Sequence, residues 1–281
     1  MDRFPLWGKD FPSFCQKICR PVFRRSFVQI ESAMSSEKSE GLMLRVTDFS
    51  ETSRIVVVFT REFGKIAALA KGGRRLKGPF ESALDLLSTC QIVFLRKNTS
   101  GLDLLTEAKL VTRFHPQERD LSSLYAGYYV AELLLGLTED YDPHPILYSA
   151  AQEALEMFGA VETKLLGVVR FELVLLRELG QLPDFENCVA CGAELTEGRT
   201  VGFWVAEGGL ICSECQQEDH KPISIHAGTA AALRLLSSES ENAWKRLNLS
   251  PGQLKEVKTV TSAAICHAMG HRPKMLRYLD H

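Results

Sequence analysis

The chain has 281 residues, 45% of them hydrophobic and 24% charged, with a formal net charge of −2. That length holds one large domain or two ordinary ones, and the composition is that of a globular protein rather than a disordered or fibrous one. No apolar run approaches the ~20 residues of a membrane-spanning helix. The near-neutral total hides an asymmetry. Residues 1–39 carry +3, residues 40–113 carry +4 and residues 114–281 carry −9. A basic module beside an acidic one predicts that only the former meets a polyanion.

Residues 1–39 contain Pro5, Pro12, Pro21 and two of the eight cysteines, show no sustained period, and end in a polar run that begins at Ser35. They read as a disordered leader, or as the product of a start assigned too early with Met34 the true beginning. No apolar core follows the basic start, against a signal peptide, and an Arg-containing transit peptide is a lesser alternative.

From Gly41 the texture becomes β-like. Residues 41–46, 54–60, 65–70, 91–95 and 102–111 read as strands, with turns at Glu62-Phe-Gly64 and Arg96-Lys-Asn-Thr-Ser-Gly101. Five short strands at close spacing point to a small barrel or sandwich over residues 40–113. After the third strand comes Lys71-Gly-Gly-Arg-Arg-Leu-Lys77. Lys71, Arg74, Arg75 and Lys77 on a glycine-rich loop can follow a phosphate backbone without reading bases. A merely solvated loop is the plain alternative. Arg54, Arg96 and Lys97 extend the surface if the barrel closes as expected. Phe59, Phe63 and Phe94 offer stacking faces, although core packing is the better reading of each.

Past Asp120 the period turns helical. Helices are expected from Leu121, after Pro145, over 161–179, and near 227–237 and 251–269. Gly180 stands at a helix C′ position, and Ser250-Pro251 supplies an N-cap and a first-turn proline. Asp142-Pro-His144-Pro reads as a stiff interhelical turn rather than a metal site.

The cysteines of residues 188–215 interrupt the helices. Cys188-Val-Ala-Cys191 and Cys212-Ser-Glu-Cys215 are each Cys-x2-Cys, joined by a segment with a Gly208-Gly209 turn that folds as a short hairpin. A two-residue gap aims both thiolates at one ion, so two such pairs make the shell of a structural zinc. Two disulfides or an iron–sulfur cluster are the alternatives. Cys90 and Cys266 sit in apolar-patterned segments as buried thiols, the usage of a reducing cytoplasm. Four thiolate ligands leave no open position for a catalytic water. Nor does the chain carry a nucleophile-elbow, zincin or dinucleotide-binding motif.

Several segments together resemble one family. They are Gly41-Leu-Met-Leu-Arg45, Asp48-Phe-Ser-Glu-Thr52, Arg54-Ile-Val56, Phe59-Thr-Arg-Glu-Phe-Gly-Lys65, Ala70-Lys-Gly-Gly-Arg-Arg75, Leu176-Arg-Glu-Leu-Gly180, the first cysteine pair and Arg272-Pro-Lys-Met-Leu-Arg-Tyr-Leu279. In order and spacing, from about residue 40 to the end, they are similar to the RecO family of bacterial DNA repair and recombination mediators. The resemblance implies an α+β chain: an amino-terminal five-stranded OB-type barrel (40–113), then a mainly helical domain (114–281) with a four-cysteine zinc-binding insertion. It implies a non-enzymatic protein of the cytoplasm and nucleoid that binds single- and double-stranded DNA and anneals complementary strands. With RecR and RecF it would help RecA replace single-strand-binding protein (SSB) on gaps, touching the SSB C-terminal tail through the helical domain. Its implied site residues are Cys188, Cys191, Cys212 and Cys215 for one Zn2+, and Lys71, Arg74, Arg75 and Lys77 for DNA. A zinc-knuckle adaptor with no direct DNA role and a zinc-dependent enzyme are the other readings.

Overall fold

Five strands close on themselves at the front of the chain. The computed structural model describes residues 35–75, 80, 83–97, 101–116, 121–195, 201–238 and 244–279. The strands are β1 (Ser35–Asp48), β2 (Arg54–Thr60), β3 (Gly64–Ala70), β4 (Thr89–Arg96) and β5 (Asp103–Thr112), ordered β1-β2-β3-β5-β4. β1 serves two neighbours. Its first half pairs with β4, from Ser35 opposite Arg96 to Leu42 opposite Thr89, and its second half with β2, from Gly41 opposite Thr60 to Asp48 opposite Arg54. All pairs are antiparallel except the seam, where Ala68, Leu69 and Ala70 of β3 run parallel to Asp103, Leu104 and Leu105 of β5. Alternation along the strands divides their side chains. Met43, Val56, Val58, Ile66, Ile92 and Phe94 fill the barrel, while Leu42, Leu44 and Phe59 pack outward against the helices.

The helical part comprises α1 (Leu121–Leu137), α2 (Pro145–Met157), α3 (Val161–Glu178), α4 (Ala227–Ser237) and α5 (Pro251–Met269). α3 lies at the centre, against the other four helices, and buries Val168, Val169, Phe171 and Leu173 to Leu176. Also buried there is Glu172, whose carboxylate accepts from the Tyr129 hydroxyl of α1 and from Lys258 Nζ and Thr261 Oγ1 of α5, each at 2.6 Å. Burial and this carboxylate hold the Tyr129 phenol protonated, with its pKa well above the usual range. A small sheet of β6 (Val201–Trp204), β7 (Gly209–Cys212) and β8 (Ile223–Ile225), in the order β7-β6-β8, completes the fold.

A strap of residues 138–144 between α1 and α2 binds the barrel. Asp140 bridges Lys65 of β3 in parallel sense, the Tyr141 amide donates to the Lys65 carbonyl (2.9 Å), and the Tyr141 hydroxyl donates to buried Asp103 of β5. Lys65 Nζ in turn donates to the carbonyls of Leu135 (3.1 Å) and Thr138 (2.5 Å), so a barrel lysine caps the negative end of α1. Gly64 makes the approach possible. Its φ is +67°, and a Cβ there would stand 2.0 Å from the Asp142 carbonyl oxygen.

The α+β architecture expected from the sequence is present, and the four cysteines lie together. One boundary needs correcting: β1 starts at Ser35, inside the stretch assigned to a leader. The segment is largely exposed, and its strand conformation comes from pairing with β4 rather than from an apolar alternation of its own. Residues 1–34, with Cys15 and Cys19, lie outside the described residues. Phe59 and Phe94 are fully buried, and Phe63 packs edge-on against Phe94 at 5.4 Å, so all three serve the core. Cys90 is a buried thiol whose pKa burial raises to about 11, whereas Cys266 is only half-buried. No helix among the described residues is long and apolar enough to cross a membrane.

Candidate metal centre and nucleic-acid interface

The first cysteine pair sits on a turn built for it. Asp184 Oδ1 accepts from the amides of Glu186 (2.8 Å) and Asn187 (3.0 Å), and although burial opposes them these bonds hold its pKa below the ordinary aspartate value. The Gly192 amide then donates to the Cys188 carbonyl at 2.8 Å, with Gly192 at φ +72°, a conformation glycine adopts without strain. From α4, Arg234 donates to the carbonyls of Phe185 (2.8 Å) and Leu195 (2.6 Å), bracketing the turn and fixing it to the helices. The Val189 amide donates to Leu210 of β7 at 2.9 Å, so the strand that ends in Cys212 lies beside the first pair.

The four Sγ atoms of Cys188, Cys191, Cys212 and Cys215 all lie within 4.8 Å of one another, with Cys191 and Cys212 at 4.0 Å. A Zn–S bond of ~2.3 Å implies tetrahedral S···S edges of about 3.8 Å, so a slight contraction closes the group on one ion. Electrostatics favour a cation here. Burial raises the Cys188 thiol, but amide donation, led by Cys212 at 3.4 Å, outweighs it and lowers the pKa to about 6. Thiol contacts with Cys212 and Cys191 push Cys215 up to about 12. Four crowded sulfurs cannot all ionise unless a positive charge sits among them. The donor set and spacing therefore fit a metal ion, and among the described residues this is the one such cluster.

At the barrel end where β1 turns into β2, several of the expected DNA-contacting residues converge. Lys71, Arg74 and Arg75 are exposed on the loop after β3, turned by Gly72 at φ +78°. Arg74 is held: its amide donates to Thr52 (3.1 Å), its Nη1 to the Ser50 carbonyl (2.9 Å), and its Nε lies 3.6 Å from Asp48 Oδ2. Arg54 meets the other oxygen of the same carboxylate at 3.0 Å. Asp48 thus gathers two arginines without neutralising both, and sequence reading missed this role because the pairing crosses from residue 48 to 74. Lys77 lies outside the described residues.

Arg96 and Lys97 are employed differently. The Arg96 guanidinium lies 4.1 Å from the centroid of the Tyr141 ring in the strap, and the Lys97 amide donates to Asp103 at 3.0 Å. Among the described residues no hydrogen bond, ion pair or ring contact joins either side chain to the basic loop.

Comparisons with known proteins agree over nearly the whole chain. Residues 34–114 match the family model described as Recombination protein O N terminal, and residues 118–277 match Recombination protein O C terminal. The DNA repair protein RecO of Rhodopirellula baltica is 42% identical over 202 residues, which are 72% of this chain and 75% of that protein. RecO of Anaeromyxobacter dehalogenans is 31% identical over 247 residues (88% and 97%), and that of Halalkalibacterium halodurans 30% over 244 (86% and 94%). With both halves matched in order, the chain belongs to the RecO family of recombination proteins.

Proposed function

We propose that this protein is a DNA-binding recombination mediator in repair: it holds single- and double-stranded DNA on the barrel, anneals complementary strands, and helps load a recombinase onto SSB-coated gaps. The gathering of Lys71, Arg74, Arg75 and Arg54 at one end of the barrel carries this reading, since such a cluster neutralises phosphates regardless of sequence. The acidic remainder of the chain repels DNA and is left for protein partners, among them RecR, RecF and the SSB tail. Annealing requires reduced repulsion between strands and no nucleophile, so the protein needs no catalytic residue. One structural Zn2+ on the cysteine quartet locks the β6–β7 hairpin to the turn of residues 188–192. The setting is the cytoplasm, at the nucleoid.

The test is a titration of labelled single strands with the wild type and with Lys71, Arg74, Arg75 and Lys77 all changed to glutamate, at two salt concentrations. Four phosphate contacts predict wild-type binding about fifty-fold weaker at ~200 than at ~50 mM salt; three contacts, if Asp48 holds Arg74 back, predict about eighteen-fold. The charge-reversed variant should lose affinity at both salts. Equal affinities for the two proteins, or binding indifferent to salt, would refute the assignment.

A further inference from the structure

The turn between β1 and β2 carries one large apolar ring that the fold leaves unused. Phe49 is 62% exposed, while Phe59 and Phe94 are fully buried and Phe80 nearly so. Its neighbours Asp48, Ser50, Glu51, Thr52 and Ser53 are all polar. An isolated exposed hydrophobe needs no explanation by itself. Phe49 stands in a different frame, for three reasons.

First, the turn is rigid. The amides of Phe49 (3.0 Å) and Ser50 (3.3 Å) donate to the Ser53 carbonyl, and the Ser53 amide donates to Ser50 Oγ at 3.2 Å. A ring on such a turn is presented at little further entropic cost. Second, the turn is clipped to the cationic loop, since Arg74 grips the Thr52 and Ser50 carbonyls and the Asp48 carboxylate. The residues on both sides of Phe49 are therefore contacts of the basic cluster. Third, no ring contact within the chain occupies Phe49 among the described residues, whereas Phe63 packs on Phe94 and Tyr141 lies under Arg96.

Every nucleobase offers a π face, and an aromatic ring beside a phosphate-binding cluster is the arrangement that holds a single strand by base and backbone together. We propose that Phe49 is the base-stacking residue of the barrel, taking an unpaired base of a single strand whose phosphates lie on Lys71, Arg74 and Arg75. This rests on the DNA-binding reading above and adds a preference to it. Paired bases present no free face, so Phe49 favours single strands over duplex while the cations serve both.

The experiment compares an oligothymidylate with an abasic strand of equal length, titrated against the wild type, Phe49→Ala and Phe49→Trp, with thermal melts to confirm folding. Phe49→Ala should weaken oligothymidylate binding about ten-fold. It should leave abasic-strand affinity and the salt slope unchanged. Phe49→Trp should restore affinity, and its emission should be quenched by oligothymidylate and not by the abasic strand. Equal losses on both strands, or an unquenched tryptophan, would overturn the stacking assignment while DNA binding stands. Salt-insensitive or absent binding of the wild type to both strands would bring down the DNA reading and the stacking residue with it.

Discussion

Glu172 offers the sharpest test of what holds the helices together. Its side chain is 0% exposed and that of its partner Lys258 is 8%. Three donors from two other helices converge on the carboxylate at 2.6 Å, and Lys258 Nζ also lies 5.1 Å from the centroid of the Tyr129 ring. Changing Lys258 to methionine removes the cation that, among the described residues, pairs with the carboxylate and leaves it two neutral hydroxyls. Stranding one member of a buried pair costs about 3–5 kcal/mol. Changing Glu172 to glutamine at the same time removes the orphaned charge, keeps an oxygen for one of the two hydroxyls of Tyr129 and Thr261, and offers the other an amide N–H to accept. The double variant should therefore lose less stability than the sum of the single variants, by about 1–3 kcal/mol. Urea denaturation followed by far-UV circular dichroism measures each value, and added salt should leave the coupling largely intact because the pair is shielded from solvent. A loss below about 1 kcal/mol for Lys258→Met, or strictly additive losses, would refute this account of the core.

Two further outcomes follow from sites described above. Metal analysis should find one zinc per chain. Its removal by a chelator, or Cys212→Ser, should alter tryptophan emission, because Trp204 ends β6, the strand paired with the one that carries Cys212, and stacks at 4.0 Å on His220 of the turn before β8; stoichiometric zinc in the serine variant would contradict the four-thiolate shell. Gly64→Ala should cost at least ~1–2 kcal/mol from the left-handed backbone alone, plus the displacement of Asp142 by a Cβ 2.0 Å from its carbonyl oxygen. Hydrogen exchange at the Tyr141 amide should accelerate in that variant, and unchanged exchange would show that the strap does not depend on the glycine.

How legible each part was depended on how far apart in sequence its determinants lie. β2 announces itself by a β-branched run and β3 by the Glu62-Phe-Gly64 turn that makes it the hairpin partner of β2, while α3 and α5 show a period of 3.6 with Gly180 and Ser250 at their ends; Ser250 Oγ does accept from the Gln253 amide. The cysteine quartet was equally plain, because two-residue spacing is local chemistry. The first half of β1 was not. Ser35 to Ser39 carry no apolar alternation, and their register with β4 is imposed by closure across more than fifty residues. The strap was invisible for the same reason: nothing near Asp140 and Tyr141 says that Lys65 and Asp103 await them. At the basic loop the cations could be counted from the sequence. The sharing of Asp48 by Arg54 and Arg74 could not, and it decides how many of them are free.

The strap also sets how the chain can be divided. β5 covers only Ala68 to Ala70 of β3, and on that flank Lys65 is bridged by Asp140 and takes its backbone bond from the Tyr141 amide, beyond α1. A fragment cut after β5 would keep all five strands yet bare a row of backbone donors and acceptors along the first half of β3, an invitation to pair with another copy. The front module is thus a complete barrel by strand count and an unfinished one by hydrogen bonding, and fragments for binding studies should run through Tyr141.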